Sequence, residues 1–372
     1  MTGAAAGDRA GPSRTAGPAP VWYKLKVVTV ERLAHDAAAI TLTVPDTLAG
    51  IFTPRAGQHL VIRHSLGAKE LRRTYSICPP PGGPSELRLV VKRRGVGGFA
   101  EYATTRLATG DVLEVGPPAG GFRLADQVGA HHVMVAGGTG ITPLLTMAAS
   151  ALRNDPQCRV SLIYANQTSR SILLADDLGE LKDTYFNRFF HLHVLSQEAR
   201  ESELLSGRID SARLPKLLAL LGADPAGGHF YLCGPSGLVE TVREGLARWG
   251  VDPSRVRCEL FTTDQGTQNH FVPVQHGRPS SVTVTARIGG RIIVATMEPG
   301  DRVVLDALLR ALPDTPYSCR EGLCGSCRAK VISGVVSMRR QYALGETELA
   351  ARYTLACQGR PASNNIDLDF DA

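Results

Sequence analysis

Cys319-Arg-Glu-Gly-Leu-Cys324-Gly-Ser-Cys327 places three cysteines at the spacing Cys-x4-Cys-x2-Cys, and Cys357 follows after 29 further residues. That is the ligand spacing of one type of 2Fe-2S centre, in which one loop supplies three thiolates and a distant position supplies the fourth. Gly322, Gly325 and Ser326 keep the loop's side chains small, so backbone N–H groups can approach the sulfurs. A structural zinc site is the alternative for four thiols, although zinc usually takes paired Cys-x2-Cys units. The other cysteines, Cys78, Cys158, Cys233 and Cys258, are dispersed and read by default as small buried residues.

The cysteine loop lies in a last unit, 282–372. This unit opens with two strands, Val282 to Ile288 and Arg291 to Met297, around the hairpin signal Gly289-Gly290, followed by a short helix from Val304 to Ala311. Upstream, 262–281 is rich in Thr, Gln, His, Gly and Pro and reads as a linker. Before it, 128–261 repeats apolar strand, turn and helix at Val133 to Ala136, Val160 to Tyr164 and Phe230 to Cys233, which predicts a doubly wound parallel sheet. Earlier still, 22–127 alternates apolar and polar residues (Leu25, Val27, Thr29; Ile40, Leu42, Val44) between Pro and Gly turns, the pattern of a small antiparallel β-barrel. Residues 1–21 read as a disordered tail without the apolar stretch of a secretory signal.

The 372 residues thus divide into several cores, with an ordinary balance of 43% apolar and 20% charged residues. A net charge of +6 is spread along the chain without the dense basic clusters of a nucleic-acid binder. No run of eighteen apolar residues offers a membrane span, and eight cysteines without a signal peptide favour a cytoplasmic, metal-binding reading.

Two further groups of residues carry chemistry. In the barrel, the strand Arg72 to Ile77 contains Arg73, suited to a pyrophosphate, with Thr74, Tyr75, whose ring can stack on a flavin, and Ser76, whose hydroxyl can reach the flavin's reactive nitrogen. Val91 and Lys92 follow on a later strand. Gly97 and Gly98 then precede a helical stretch from Phe99 and Ala100 to Arg106, as expected of a phosphate-holding helix start. In the parallel unit, Gly137, Gly138, Thr139, Gly140, Ile141, Thr142 and Pro143 form a strand-to-helix phosphate turn, and Cys233, Gly234 and Pro235 end a later strand.

Together these groups resemble the ferredoxin–NADP reductase superfamily, with its Arg-x-Tyr-Ser signature, Gly-rich phosphate turn and Cys-Gly-Pro element, followed here by a C-terminal plant-type ferredoxin of the β-grasp fold. The resemblance implies FAD in the barrel, NADPH or NADH in the parallel unit, Cys233 beside the nicotinamide, and Glu259 and Phe261 near the flavin. Arg170 is the candidate for a 2′-phosphate, while the arginine that relatives carry near position 167 is Gln167 here. Ala100 stands where relatives have serine.

The order of units, with Leu355, Gln358, Pro361 and the final Asp367, Asp369, Phe370 and Asp371, is similar to the reductase subunits of phenylacetyl-CoA epoxidases. That implies a multicomponent, di-iron oxygenase as electron acceptor. Reductases of steroid and aromatic-ring hydroxylases share the architecture and remain the alternative, with a non-catalytic iron–sulfur sensor as the reading from another class. The last unit has eleven Lys/Arg and ten Asp/Glu, a net charge of +1, which argues against docking through a strongly acidic face.

Overall fold

The computed structural model describes residues 22–66, 69–78, 85–93, 95, 98–262 and 281–372. The expected tail, most of the expected linker and Gly97 lie outside the described residues.

The first unit comprises β1 (Tyr23–Ala34), β2 (Ala37–Thr43), β3 (His59–Leu66), β4 (Lys69–Cys78), β5 (Glu86–Lys92), α1 (Phe99–Thr105) and β6 (Val112–Val115). The strands close into an antiparallel barrel in the order β1-β2-β5-β4-β3-β6. Alternation fills it: Leu25, Val27, Ile40, Leu42, Leu60, Ile62, Leu87, Leu89 and Val91 point inward and are almost wholly buried. Closure leaves no unpaired strand edge, so the barrel is a firm base for residues at its rim.

The second unit runs β7 (His131–Gly137), α2 (Ile141–Asn154), β8 (Arg159–Asn166), α3 (Ala175–Thr184), β9 (Phe189–Leu195), α4 (Leu214–Leu220), β10 (Gly228–Pro235), α5 (Ser236–Arg248) and β11 (Val256–Thr262). Its parallel sheet has the order β11-β10-β7-β8-β9. The two βα turns predicted to carry chemistry, after β7 and after β10, leave neighbouring central strands, so both open on the same crevice at the strands' carboxyl ends.

Barrel and sheet share one apolar cluster. Ala37, Ala39, Cys78 and Val90 of the barrel pack with Ile141, Leu144, Met147, Leu174 and Tyr231. The run of small residues in β2 fits this contact: the strand is buried along nearly all its length, and the alanines of its outer face join the cluster shared with the parallel unit. Polar ties reinforce it. Thr146 Oγ1 of α2 donates to the Ile77 carbonyl of β4 at 2.7 Å, and the buried Arg88 of β5 reaches Asp177 of α3 at 2.6 Å and Glu31 at 3.4 Å.

The third unit contains β12 (Thr283–Ile288), β13 (Arg291–Thr296), α6 (Val304–Ala311), β14 (Arg328–Ser333), β15 (Val336–Met338), α7 (Glu346–Ala350), β16 (Tyr353–Leu355), β17 (Gly359–Pro361) and β18 (Asn365–Asp369). Its sheet order is β13-β12-β18-β14-β16, with β15 and β17 paired apart. The β12–β13 turn puts Gly289 and Gly290 at φ 56° and 73°, as a two-residue hairpin turn requires. The C-terminal acids serve this unit: Asp371 accepts both turn N–H groups at 2.8 Å, and Asp367 bonds Ser333 at 2.5 Å. Among the described residues no helix is long and apolar enough to cross a membrane.

Candidate functional site

On β4, Arg73 is exposed, donates to the Arg72 carbonyl at 2.8 Å, and pairs with no carboxylate among the described residues. Tyr75 packs its ring 5.6 Å from Phe99 at the start of α1, and burial pushes its phenol far above the ordinary value, so it stays neutral. Ser76 is buried opposite His59 in the β3–β4 register. Gly98 adopts φ 91° just before α1, and a Cβ there would meet nothing within 4 Å among the described residues, which leave the helix start open. A free guanidinium, an uncrowded helix start and a neutral aromatic on one rim fit a flavin pyrophosphate and its ring.

Three predicted flavin contacts are narrowed by the geometry. Val91 points its side chain into the barrel core, Lys92 lies 3.6 Å from Asp36, and the Thr74 hydroxyl donates to Ser318 at 2.6 Å. Val91 therefore has only backbone groups free for FAD, and the Thr74 hydroxyl, its proton committed to Ser318, can only accept. Sequence reasoning passed over His59. It is buried, its Nε2 lacks a partner among the described residues, and burial pushes it down to about 4, so a neutral ring stands opposite Ser76; no motif in the sequence marks it.

In the parallel unit the two glycine turns lie back to back. A Cβ on Gly234 (φ 152°) would come within 3.0 Å of Gly137, and one on Gly140 would lie 2.0 Å from the Cys233 carbonyl oxygen. Tyr164 Oη donates to the Gly138 carbonyl at 3.0 Å, fixing the first turn from below. Thr139 precedes α2, Thr142 turns its hydroxyl back to the Thr139 carbonyl at 2.9 Å, and Pro143 is buried in the helix's first turn. Arg170 is exposed on a short turn whose neighbour Ser169 donates to Glu198 at 2.8 and 2.9 Å.

Cys233 is fully buried, with Sγ 4.0 Å from a Glu259 carboxylate oxygen on the adjacent strand. Burial, then the neighbouring acid, drives the thiol well above its ordinary value. Glu259 keeps part of its surface accessible, yet burial of the carboxyl, helped by the charge of Cys324, lifts it to about 8. At neutral pH this corner holds two uncharged groups, and a protonated thiol is unsuited to nucleophilic attack. Pro235 leads into α5, and Phe261 packs on the cluster shared with the barrel.

Cys319, Cys324, Cys327 and Cys357 converge as a chain of contacts, Cys319 meeting Cys324 and Cys357, and Cys357 meeting Cys327. Among the described residues no three His, Cys, Asp or Glu side chains close round a single ion. N–H donors surround the sulfurs: Glu321 and Leu323 to Cys319 at 3.3 and 3.4 Å, Cys357 to Cys327 at 3.5 Å, and the Gln358 amide to Cys357 at 3.5 Å. Gly322 and Gly325, at φ 77° and 69°, turn the loop so that these donors face inward. Such donors stabilise sulfur charge, as a cluster held by four thiolates needs.

The cysteine loop is wedged between the other two sites. Ser318 contacts Thr74 on the flavin strand, Cys324 lies close enough to Glu259 to raise it, and Leu323, Cys319 and Tyr342 pack on the apolar cluster of the parallel unit.

Comparison with known proteins agrees unit by unit. Residues 24–124 match the oxidoreductase FAD-binding domain family, 134–244 the oxidoreductase NAD-binding domain family, and 287–362 the 2Fe-2S iron-sulfur cluster binding domain family. The chain is therefore a flavin-dependent NAD(P)H oxidoreductase with an iron–sulfur domain of its own, carrying electrons from NAD(P)H through FAD to a 2Fe-2S cluster. It belongs to the ferredoxin–NADP reductase-like family with a C-terminal ferredoxin domain. It is 36% identical over 353 residues to one of the subunits of the 1,2-phenylacetyl-CoA epoxidase of Escherichia coli K12, covering 94% of this chain and 98% of that one. It is 29% identical to the ferredoxin reductase component of 3-ketosteroid-9-alpha-monooxygenase from Rhodococcus rhodochrous, covering 93% and 96%. Among solved structures, phthalate dioxygenase reductase superposes at TM-score 0.57 with 26% identity, covering 94% of this chain and 98% of that one. An intact type IV self-sufficient cytochrome P450 monooxygenase superposes at 0.69 with 25% identity; 97% of this chain spans 43% of that longer protein.

Proposed function

We propose that the protein is the reductase subunit of a multicomponent oxygenase of the phenylacetyl-CoA epoxidase type, acting in the cytoplasm in phenylacetate catabolism and delivering electrons to a di-iron partner. The observation that carries this reading is the cysteine loop hydrogen-bonded to the flavin strand through Ser318 and packed through Leu323 on the apolar cluster of the parallel unit, together with full-length similarity to one component of such an epoxidase. FAD, when bound, takes a hydride as an electron pair and releases electrons singly, which is what a one-electron cluster requires.

The chain's own residues bind, orient and exclude water. Arg73 and the backbone at Gly98, Phe99 and Ala100 hold the pyrophosphate, with Thr74, Val91 and Lys92 beside it. Tyr75 and Ser76 hold the flavin ring. Gly137 to Gly140, at the head of α2, receive the coenzyme's phosphates; Thr142, Pro143, Cys233, Gly234 and Pro235 shape the nicotinamide pocket, and Arg170 lies toward the adenosine end. Glu259 keeps a proton next to the Cys233 thiol, so this corner adds no fixed charge to the pocket, and Phe261 closes the apolar wall. Cys319, Cys324, Cys327 and Cys357 hold the iron.

The test is reconstitution. Purified protein with NAD(P)H and the oxygenase component of a phenylacetyl-CoA epoxidase should support epoxidation of phenylacetyl-CoA. Support only of a 3-ketosteroid or aromatic-ring oxygenase would overturn the epoxidase assignment while leaving the reductase chemistry intact.

A further inference from the structure

The hexapeptide that contributes Arg73, Tyr75 and Ser76 also contributes Arg72, which has a different task. Only 4% exposed, Arg72 donates from Nη1 to the Thr315 carbonyl and from Nη2 to the Pro313 carbonyl, both at 3.1 Å, and from Nε to Glu70 at 2.8 Å. Its guanidinium lies between two rings, 5.0 Å from the Trp22 centroid and 4.5 Å from that of Tyr317. Asp314 adds charge, 3.7 Å from both Arg72 and Arg63, and accepts from the Trp22 indole at 3.3 Å. Two residues along β4, Thr74 donates to Ser318, which is buried and directly precedes the cluster ligand Cys319. Every partner of this group on the far side, Pro313, Asp314, Thr315, Tyr317 and Ser318, belongs to the single loop that enters the cysteine cradle.

We infer that Arg72 is a positioning residue for flavin-to-cluster electron transfer, clamping the ferredoxin loop onto the flavin strand. The inference rests on the reductase reading above. Alternation on β4 puts Arg73 and Tyr75 on one face and Arg72, Thr74 and Ser76 on the other, so the clamp and Ser76 share a face. The clamp thus ties the loop to the strand bearing Ser76, and the path Ser76, Thr74, Ser318, Cys319 is bridged by one short hydrogen bond. In the step concerned, reduced FAD loses one electron and one ferric ion of the cluster becomes ferrous; no bond to protein forms or breaks. A planar fork between two rings, bonded to two carbonyls, fixes orientation as well as proximity, which a lysine's point charge does not.

The test compares the holoprotein with Arg72→Ala, Arg72→Lys and Tyr317→Ala by anaerobic stopped-flow reduction, following flavin and cluster absorbance separately. Hydrogen exchange of residues 312–318 and iron and acid-labile sulfide content are measured on the same samples. In the unsubstituted protein flavin bleaching must precede cluster bleaching; otherwise the reductase reading itself fails. Arg72→Ala should reduce its flavin at the native rate and its cluster about tenfold or more slowly, as expected when an interfacial charged anchor is lost. Exchange at 312–318 should rise with iron and sulfide unchanged, and Arg72→Lys should fall between. Native cluster-reduction rates in Arg72→Ala, or an equal loss in the flavin step, would overturn the inference. Should Arg72→Ala fail to fold, Tyr317→Ala on the loop side carries the same two readouts.

Discussion

Gly140→Ala should slow flavin reduction sharply. The added methyl would stand 2.0 Å from the Cys233 carbonyl oxygen, 2.4 Å from its carbon and 2.8 Å from the Gly234 nitrogen. All three are backbone atoms of a central strand, so no side chain can swing aside. Real Cβ contacts do not fall below 3.0 Å, so the phosphate turn and the Cys233–Gly234 strand end must part by about 1 Å. Overpacking of this kind costs about 1–3 kcal/mol of stability. Its effect on rate is larger, because a misplacement of about 1 Å between reacting partners costs on the order of a hundredfold. The crevice between these two turns is where coenzyme phosphates and nicotinamide are proposed to lie. Gly179→Ala is the control: it sits inside α3 with nothing within 4 Å of the new methyl and should stabilise the protein by about 0.5–1 kcal/mol. Stopped-flow reduction by NADPH and NADH, with thermal melting of both variants, reads the contrast. A Gly140→Ala protein that melts and reduces like the native one would refute the reasoning.

Asp177→Ala should destabilise the barrel–sheet contact by about 2–4 kcal/mol in urea unfolding, since it leaves the buried Arg88 charge with only the exposed Glu31 at 3.4 Å, whereas Glu31→Ala, removing that well-exposed partner, should cost under about 1 kcal/mol. Cys327→Ala should abolish iron and sulfide binding yet retain flavin reduction by the coenzyme, seen as diaphorase activity toward a dye; loss of both would contradict the separate placement of the two sites. Acidification should destabilise the fold. His59 and His132 are pushed from 6.5 down to about 4 chiefly by burial, so they are neutral when folded and bind protons more readily when unfolded. Their contribution is whole above pH 6.5 and is lost as pH falls toward 4, by at most about 1.4 kcal/mol per pH unit for each ring. His132→Gln should flatten that slope in urea midpoints measured across the window.

The cysteine loop was legible because cluster ligation imposes a spacing on contiguous residues, and the barrel because the inward positions of strands such as β1 are apolar and alternate with polar ones. The hairpin at Gly289-Gly290 was legible for a similar local reason: both residues need positive φ. What escaped the sequence is non-local. Arg72 reads as one cation in a flavin signature, and nothing nearby announces partners more than 240 residues away. Thr74 reads as a flavin contact, and nothing nearby announces its hydrogen bond to Ser318. The terminal acids carry no local sign of their task, yet Asp371 caps a turn 82 residues earlier. The contact of Gly140 with Cys233 depends on β7 and β10 being neighbours, an order that the repeated strand–helix pattern does not specify.

The central claim is that one chain carries electrons from coenzyme through flavin to its own cluster. The most direct measurement is anaerobic titration of the purified protein with NADPH and, separately, NADH, following flavin and cluster absorbance, with iron and acid-labile sulfide determined on the same sample. The account predicts about two iron and two sulfide per chain, as a 2Fe-2S centre requires, with flavin and then cluster bleaching in sequence. Zinc in place of iron and sulfide, or a cluster that stays oxidised once the flavin is reduced, would contradict it.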